Sequence, residues 1–137
     1  MKKTVTILLL FCFKLTQAYT GDEIIGRWLT TDKDAIFEIY KAQGKYYGKL
    51  EWTNADGIDK YNSDPNLRKK TIVGRTTMNN FVFDGNQTWK NGTIYNGANG
   101  KTYSCRLRLE SNNLLEVHGY VGIPLLGKSV FWTRLTK

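Results

Sequence analysis

The chain has 137 residues, of which 41% are hydrophobic, and it carries a formal net charge of +8 at pH 7. That length suits one domain with a single core, and two cysteines are too few for a small fold stapled by several disulfides. The positive charge suits anionic partners, such as envelope glycans, phospholipid headgroups or nucleic acid, without selecting among them.

The N-terminal segment has the three parts of a secretory signal peptide. A lysine pair opens it, residues 4–13 form an apolar run, and Thr16 and Ala18 place small residues before a cleavage site. The apolar run is too short to span a bilayer. We therefore predict a cleaved signal peptide over residues 1–18 and a single domain over residues 19–137, exported to the periplasm or secreted.

Cleavage would remove three lysines and no acidic residue, so the domain stays basic. It would also remove Cys12, which follows Leu10 and Phe11 instead of the small residue that precedes a bacterial lipidation cysteine. Cys105 is then the remaining cysteine, so we expect no intramolecular disulfide and a fold that depends on its core. A thiol on an alternating strand is most simply a small buried apolar residue.

After residue 20 the sequence alternates with a period of two between Gly, Asn and Asp residues, and it lacks a convincing helix-period stretch. Gly26 opens the first predicted strand. Residues 35–41 and 45–53 are expected to form a hairpin across Gly44. The domain therefore begins as antiparallel β structure.

A polar stretch from Asn54 to Lys70 then breaks the alternation. It contains Asp56, Asp59 and Asp64 among several basic residues and includes an Asp-Pro-Asn turn signal. Long loops are often functional, and a solvated crossover is the plain alternative, so both interpretations stay open. The oxygen ligands in this loop also suggest calcium, but the spacing is not that of an EF-hand and the lysines would oppose a cation.

Another hairpin follows, in which residues 87–95 pair with a strand that starts at Lys101, across a turn at residues 96–100. Over residues 102–109 the side chains alternate between two faces. One face carries Tyr103, Cys105, Leu107 and Leu109, and the other carries Ser104, Arg106 and Arg108. This pattern is typical of a half-buried strand with a solvent-exposed basic face.

Residues 114–121 continue the alternation after a tight turn at Asn112-Asn113. The predicted inner face carries Leu115, Val117 and Val121, and the outer face carries Glu116, His118 and Tyr120. The last strand is expected over residues 128–135. Sequential hairpins with short turns give a meander, and a meander of this many strands hides its edges by closing. We predict an all-β fold, a small antiparallel up-and-down barrel.

Gly26, Trp28 and Arg134 form a pattern across the two ends of the domain. A Gly-x-Trp in the first strand with an Arg in the last strand resembles the structural signature of lipocalins and related calycins. The resemblance implies that the guanidinium covers the indole ring at the closed end of the barrel. These three residues are therefore assigned to barrel closure and not to chemistry.

A wider set of motifs resembles the DUF2147 family of exported bacterial proteins. The resemblance implies an export signal, a lipocalin-like barrel and no agreed catalytic residues. Two positions depart from the family pattern, since Asn96-Gly97 replaces Asp-Pro and Ser63 replaces Pro, which loosens both turns and puts in doubt any role for an acid at position 96. The matching motifs, in order, are Gly26-Arg27-Trp28, Glu38-Ile39-Tyr40, Tyr47-Gly48, Asp59-Lys60-Tyr61-Asn62, Leu67-Arg68, Gly74, Trp89, Gly92-Thr93-Ile94-Tyr95, Gly100-Lys101-Thr102-Tyr103, Gly119-Tyr120, Leu126-Gly127 and Trp132-Thr133-Arg134.

Candidate catalytic groups are sparse. His118 is the single histidine and has no Ser or Cys partner visible in the sequence, so we interpret it as a surface residue. Cys105 lies on the predicted inner face, where a thiol is usually inert. We therefore assign no catalytic residue, no metal and no cofactor, and we leave open a hydrolase that uses the loop acids.

Aromatic residues spread over the strands are the remaining candidates for a functional site. Amphipathic rings inside a barrel can line a pocket and orient a ligand through their polar atoms, or they can simply fill the interior. The candidate ligand-binding set also includes three polar residues of the long loop. Its members are Tyr40, Trp52, Trp89, Tyr95, Tyr103, Tyr120, Asp59, Asn62 and Arg68.

Two binding functions remain besides that hydrolase. The first is an exported, non-catalytic barrel that binds a small apolar or amphipathic molecule in its interior, with the loop from Asn54 to Lys70 at its mouth. An interior filled by side chains would exclude it. The second is an envelope interaction module that binds anionic lipid, glycan or a partner protein through a basic face formed by Lys101, Arg106 and Arg108 or through residues 68–70. Export makes nucleic acid an improbable partner, and we expect no transmembrane segment after residue 18.

Overall fold

A computed structural model describes residues 2–10 and 18–136 of the chain. Residues 11–17 of the predicted signal peptide, with Cys12, lie outside the described residues, so the signal peptide stays a prediction. Within the described part the chain folds into eight strands. They are β1 (Gly26–Leu29), β2 (Ala35–Ala42), β3 (Lys45–Thr53), β4 (Thr76–Phe83), β5 (Thr88–Asn96), β6 (Lys101–Ser111), β7 (Leu114–Tyr120) and β8 (Lys128–Arg134).

The eight strands form one closed barrel in sequence order, and every neighbouring pair is antiparallel. β1 and β8 complete the ring, with Trp28 opposite Arg134 and Leu29 opposite Thr133. Closure gives each of these eight strands a partner on both sides, which protects their edges from pairing with another chain. The predicted all-β, up-and-down barrel is confirmed.

One end of the barrel is sealed by a short 3₁₀ helix, Asp22–Ile24, that precedes β1. The indole nitrogens of Trp28 and Trp89 donate to the carbonyls of Ile24 and Gly21, at 3.0 and 3.1 Å, and thereby tie the helix to the interior. The guanidinium of Arg134 lies 4.3 Å from the centre of the Trp28 ring. Its nitrogens donate to the backbone carbonyls of Glu23, Ile25 and Asn112.

The core fills the barrel next to this sealed end. Side chains from most of the strands meet there, because alternate residues of each strand point inward. Cys105 belongs to this cluster, and burial raises the pKa of its thiol to about 12, as expected for an inert side chain. The fully buried apolar members are Ile24, Trp28, Met78, Trp89, Cys105, Leu109 and Leu115.

β4 is the strand that the sequence pattern did not reveal. Its inward residues Met78 and Phe81 are three positions apart, because Asn80 has a left-handed backbone with φ of 64° and the register with β3 shifts between these residues, which forms a bulge. Asn91 has the same φ on the neighbouring strand, so the two irregularities lie side by side. The bulge breaks the period of two over the residues where β4 would otherwise be recognised.

Two predictions for β7 need correction. Val121 was expected on the inner face, but β7 ends at Tyr120 and Val121 is 71% exposed in the following loop. His118 was expected at the surface, but it is buried on the outer side of the barrel. Its Nδ1 lies 2.7 Å from Ser129 Oγ and its Nε2 lies 2.5 Å from the carbonyl oxygen of Pro124, so the loop between β7 and β8 covers it.

Candidate ligand-binding cavity

The end of the barrel opposite the 3₁₀ helix holds a cavity of about 590 Å³. Its apolar wall includes Phe37, Leu50, Ile72, Ile94 and Trp132. The Phe37 and Trp132 rings stack with centroids 4.5 Å apart, and Trp132 also belongs to the core cluster. These stacked rings therefore lie where the filled half of the barrel meets the open half.

The β3–β4 loop (residues 54–75) covers the mouth of the cavity. Residues 55–58 with Lys60 and Tyr61 line the cavity from above, beside the β5–β6 turn. The loop is more ordered than its polar sequence suggests, since it contains a short 3₁₀ helix, Pro65–Leu67, and a backbone bridge between Ile58 and Thr71. The prediction that this loop lies at the mouth agrees with its position.

Asp59 anchors the loop to the barrel wall. Its side chain is fully buried, and its carboxylate accepts hydrogen bonds from Tyr95 Oη at 2.5 Å, Asn62 Nδ2 at 2.7 Å and the Arg75 guanidinium at 2.5 Å. Tyr95 is on β5, so the bond joins the loop to a neighbouring strand. Both oxygens of the carboxylate accept hydrogen bonds, so we assign Asp59 a structural role.

The charges around Asp59 favour its ionised form. Burial alone would raise the pKa of this carboxyl, but the bonds from Tyr95, Asn62 and Arg75 outweigh burial and hold the pKa below its ordinary value. Burial and the facing carboxylate raise the pKa of Tyr95 to about 12. At neutral pH the pair is therefore a phenol donating to a carboxylate.

Gly100 allows the loop to pass close to the β5–β6 turn. Its φ is +71°, and a Cβ atom at this position would overlap the backbone carbonyl of Tyr61. Glycine is thus required both by backbone conformation and by space. Together with the Asp59 anchor, this close approach fixes the height of the loop above the cavity.

Thr77 brings an unusual polar atom to the cavity wall. The residue lines the cavity and is 5% exposed, and its hydroxyl oxygen has no hydrogen-bond partner among the described residues. Buried hydroxyls nearly always have partners. The sequence carried no signal for this residue, because it lies in the strand with the broken alternation.

A smaller recess of about 330 Å³ adjoins the cavity on the β6–β8 side. Tyr103 and Asn96 line both spaces, and Gly119, Lys128 and Val130 complete the recess. Gly119 has no side chain to fill the space between β6 and β7. The recess therefore lies next to Gly119 of β7.

Of the aromatic residues predicted to bind a ligand, Tyr95 and Tyr103 line the cavity. Trp89 points inward but lies in the core at the sealed end. Tyr40 faces outward, where its hydroxyl bonds Thr76 Oγ1 at 2.6 Å, and Tyr120 stacks on His118 outside the barrel. The expectation that these rings share one interior pocket is therefore wrong for Tyr40, Trp89 and Tyr120.

Trp52 is also outside the cavity, and the reason is local. A strict period of two would place it inward with Leu50, but the β2–β3 register shifts so that Phe37 pairs with Leu50 and Ile36 pairs with Trp52. Glu51 is the extra residue of this bulge. Thr53 consequently lines the cavity, and Trp52 is left 43% exposed on the outer surface.

The three polar loop residues of the predicted set hold the loop together instead of lining the cavity. Asn62 donates to the buried carboxylate of Asp59. Arg68 Nε donates to the carbonyl of Asn62 at 2.7 Å, which braces the loop from outside. Among the described residues, no group of three His, Cys, Asp or Glu side chains is arranged to hold a metal ion.

The predicted basic face is partly neutralised by neighbouring acids. Arg106 pairs with Glu116 at 2.9 Å, and Arg108 lies 3.4 Å from Glu110. The β7–β8 loop instead presents an apolar surface at the mouth of the barrel, with Leu125 87% and Leu126 74% exposed.

The architecture is that of a lipocalin-like β-barrel. A solved structure of a protein from the human pathogen Helicobacter pylori, described as belonging to the lipocalin family, matches this fold with a TM-score of 0.73 and 29% sequence identity over 82% of each chain. The chain belongs to the bacterial family DUF2147, described as an uncharacterized protein conserved in bacteria, whose family model matches residues 26–134. No curated protein matches the chain. In the described part of the chain, no helix has the length and apolar character needed to cross a membrane.

Proposed function

We propose that this protein is an exported, non-catalytic binding protein that holds a small apolar or amphipathic molecule in the open half of its barrel. The cavity of about 590 Å³ is the observation that carries the proposal. Small-molecule sites typically measure about 300–1,000 Å³ and combine apolar walls with few polar groups. An interior filled by side chains would have excluded this function, and the interior is filled only toward the sealed end.

The environments of the candidate catalytic side chains favour a binding role over catalysis. Asp59 is fully buried beneath three hydrogen-bond donors, so a substrate in the cavity does not reach it. Both ring nitrogens of His118 are engaged on the outer side of the barrel. Cys105 is buried with a raised pKa. A hydrolase that uses the loop acids has no comparable support.

The direct test is to fill the cavity and measure binding of an amphipathic probe. Ile94 lines the cavity and Thr93 precedes it on β5 with its side chain on the opposite face. We expect the wild type to bind anilinonaphthalene sulfonate saturably at one site, measured by fluorescence. Ile94→Trp should weaken this binding at least about tenfold, because the new ring occupies the space of the probe.

Thr93→Trp is the matched control and should bind the probe like the wild type. Near-UV circular dichroism of each variant checks that tertiary packing is retained, since the probe also binds partly folded chains. Equal binding by Ile94→Trp and the wild type would show that the probe does not enter the cavity, and would contradict the proposal.

A second candidate function is docking of the barrel mouth on an anionic lipid surface. The observation that favours it is the exposed pair Leu125 and Leu126, followed by Lys128 at the start of β8. Apolar loops beside basic residues suit anionic membranes. Sedimentation with phosphatidylglycerol vesicles should then exceed that with phosphatidylcholine vesicles, and Leu125→Ser with Leu126→Ser should abolish it. Equal sedimentation with both lipids would count against this candidate.

A further inference from the structure

We propose that the Thr77 hydroxyl is the polar anchor of the cavity, and that the natural ligand is a hydrocarbon bearing a hydroxyl or carbonyl oxygen. This inference rests on the proposed function. The ligand oxygen would exchange a hydrogen bond with Thr77 Oγ1, while the hydrocarbon would lie against the apolar wall at Phe37, Ile94 and Trp132.

The first step is that Thr77 differs from the other unsatisfied side chains. Among the described residues, three side chains contain a buried polar atom without a partner, namely Arg75, Thr77 and Arg106. The two guanidiniums have other nitrogens in ion pairs, with Asp59 at 2.5 Å and with Glu116 at 2.9 Å. Thr77 has a single polar side-chain atom, so its hydrogen-bonding capacity is wholly unused.

The second step is the location of Thr77 on β4. Thr76, the residue before it, faces outward and bonds the Tyr40 hydroxyl, whereas Met78, the residue after it, packs against Gly48 in the core. Thr77 is thus held between two fixed neighbours and beside the cavity. Valine has the same shape and would leave no buried hydroxyl unpaired, so packing alone does not account for threonine here.

The third step concerns the orientation of the hydroxyl. Its oxygen is buried in the wall, and no hydrogen bond within the described protein holds it in that rotamer. A rotation of χ1 by 120° would move the hydroxyl into the position now held by the methyl group or by the hydrogen on Cβ. A ligand oxygen in the cavity can therefore draw the hydroxyl toward it without breaking an existing bond.

The apolar character of the inner wall sets the class of ligand. A molecule with one oxygen can satisfy Thr77 and bury the rest of its surface against aromatic and aliphatic side chains. A charged group beside Thr77 would be costly, because burial of a charge without a partner is strongly unfavourable. An oxygenated hydrocarbon fits the wall better than a pure hydrocarbon or an ion.

The experiment compares octanol with octane as displacers of anilinonaphthalene sulfonate from the wild type, Thr77→Val and Thr77→Ser. One lost hydrogen bond should weaken octanol binding to Thr77→Val about three- to tenfold. Octane binding should stay unchanged or tighten, because the wall becomes more apolar. Thr77→Ser keeps the hydroxyl and should preserve the preference for octanol.

A second readout is the thermal stability of the ligand-free protein. Thr77→Val should unfold at the same temperature as the wild type or higher, because it removes an unsatisfied hydroxyl without changing shape. A lower unfolding temperature would show that the hydroxyl has a structural partner, which would overturn the inference.

The remaining outcomes separate the two proposals. If the wild type binds neither displacer nor the probe, both proposals fail. If Ile94→Trp blocks binding but Thr77→Val binds octanol like the wild type, the cavity function stands and the anchor is wrong. Parallel weakening of octanol and octane by Thr77→Val would indicate a change of shape, and would also overturn the anchor.

Discussion

Asp59 shows how one buried carboxylate can organise a loop without taking part in chemistry. Three donors from the loop and the barrel wall converge on it, and they keep its pKa below the ordinary value despite burial. A buried charge is tolerated only when it is paired and hydrogen-bonded. The cluster of Asp59, Asn62, Arg75 and Tyr95 therefore determines where the β3–β4 loop lies above the cavity.

Asp59→Asn should destabilise the protein at pH 7. Removal of one partner from a buried pair costs about 3–5 kcal/mol, and we expect about 2–3 kcal/mol because the Arg75 side chain is 34% exposed. Urea unfolding at pH 7 measures this difference. Asp32→Asn, an exposed residue in the turn before β2, is the matched control and should change the free energy of unfolding by less than about 0.5 kcal/mol.

The buried ion pair between Asp59 and Arg75 also predicts that the stability of the protein depends on pH. The pKa of Asp59 is lower in the folded state than in the unfolded state, so its contribution to stability is complete above the unfolded pKa of about 3.9. That contribution is lost as the pH falls through the lower, folded pKa. The stability difference between the wild type and Asp59→Asn should therefore shrink below about pH 4. A difference that stays constant to lower pH would contradict this account.

Arg134 supplies the other residue-level prediction. Arg134→Ala removes the cation–π contact with Trp28 and leaves three backbone carbonyls without their donor. We expect a loss of about 2–4 kcal/mol in the free energy of unfolding. Arg108→Ala, on the outer face of β6, should cost less than about 1 kcal/mol because its ion pair is exposed. Equal losses in the two variants would show that closure at Trp28 is energetically unimportant.

At the scale of elements, Gly85 and Gly100 both lie in turns and have left-handed conformations, but their surroundings differ. Gly100 has φ of +71° and lies against the backbone of Tyr61, whereas Gly85 has φ of +85° and a Cβ atom added there would meet nothing within 4 Å. A Cβ atom at either site strains the backbone by about 1–2 kcal/mol. Comparison of alanine substitutions at the two sites therefore isolates the effect of the contact between the β3–β4 loop and the β5–β6 turn.

Gly100→Ala should displace the β3–β4 loop from the mouth, and Gly85→Ala should not. We expect Gly100→Ala to weaken binding of the amphipathic probe and to raise hydrogen exchange at the amides of residues 57–62. Gly85→Ala should show similar backbone strain with unchanged binding and exchange. Unchanged exchange in both variants would mean that the loop position does not depend on this contact.

The elements also show where sequence patterns were sufficient. The positions of seven strands were predicted to within a few residues, because alternation over part of each strand or a short turn beside it was visible in the sequence. β4 was missed because the bulge at Asn80 breaks its alternation, and Trp52 was placed on the wrong face because of the bulge at Glu51. Bulges add one residue to a strand, and nothing in the composition of these segments marks the addition.

At the scale of the molecule, the barrel divides into a sealed, filled half and an open half. The sealed half was predictable, because Gly26, Trp28 and Arg134 form a recognisable pattern. The cavity was not, because its lining combines inward residues of several strands with a folded loop, and a sequence does not give the volume left between them. Thr77 belongs to this second group, since its significance depends on its lack of a partner among the described residues.

The measurement that tests the central claim most directly is native mass spectrometry of the protein purified from its own host without detergent or organic solvent. We predict a species that carries one small molecule, lost under denaturing conditions, and identification of that molecule as an oxygenated hydrocarbon would support both proposals. Identical masses under native and denaturing conditions would contradict the claim that the cavity holds a ligand.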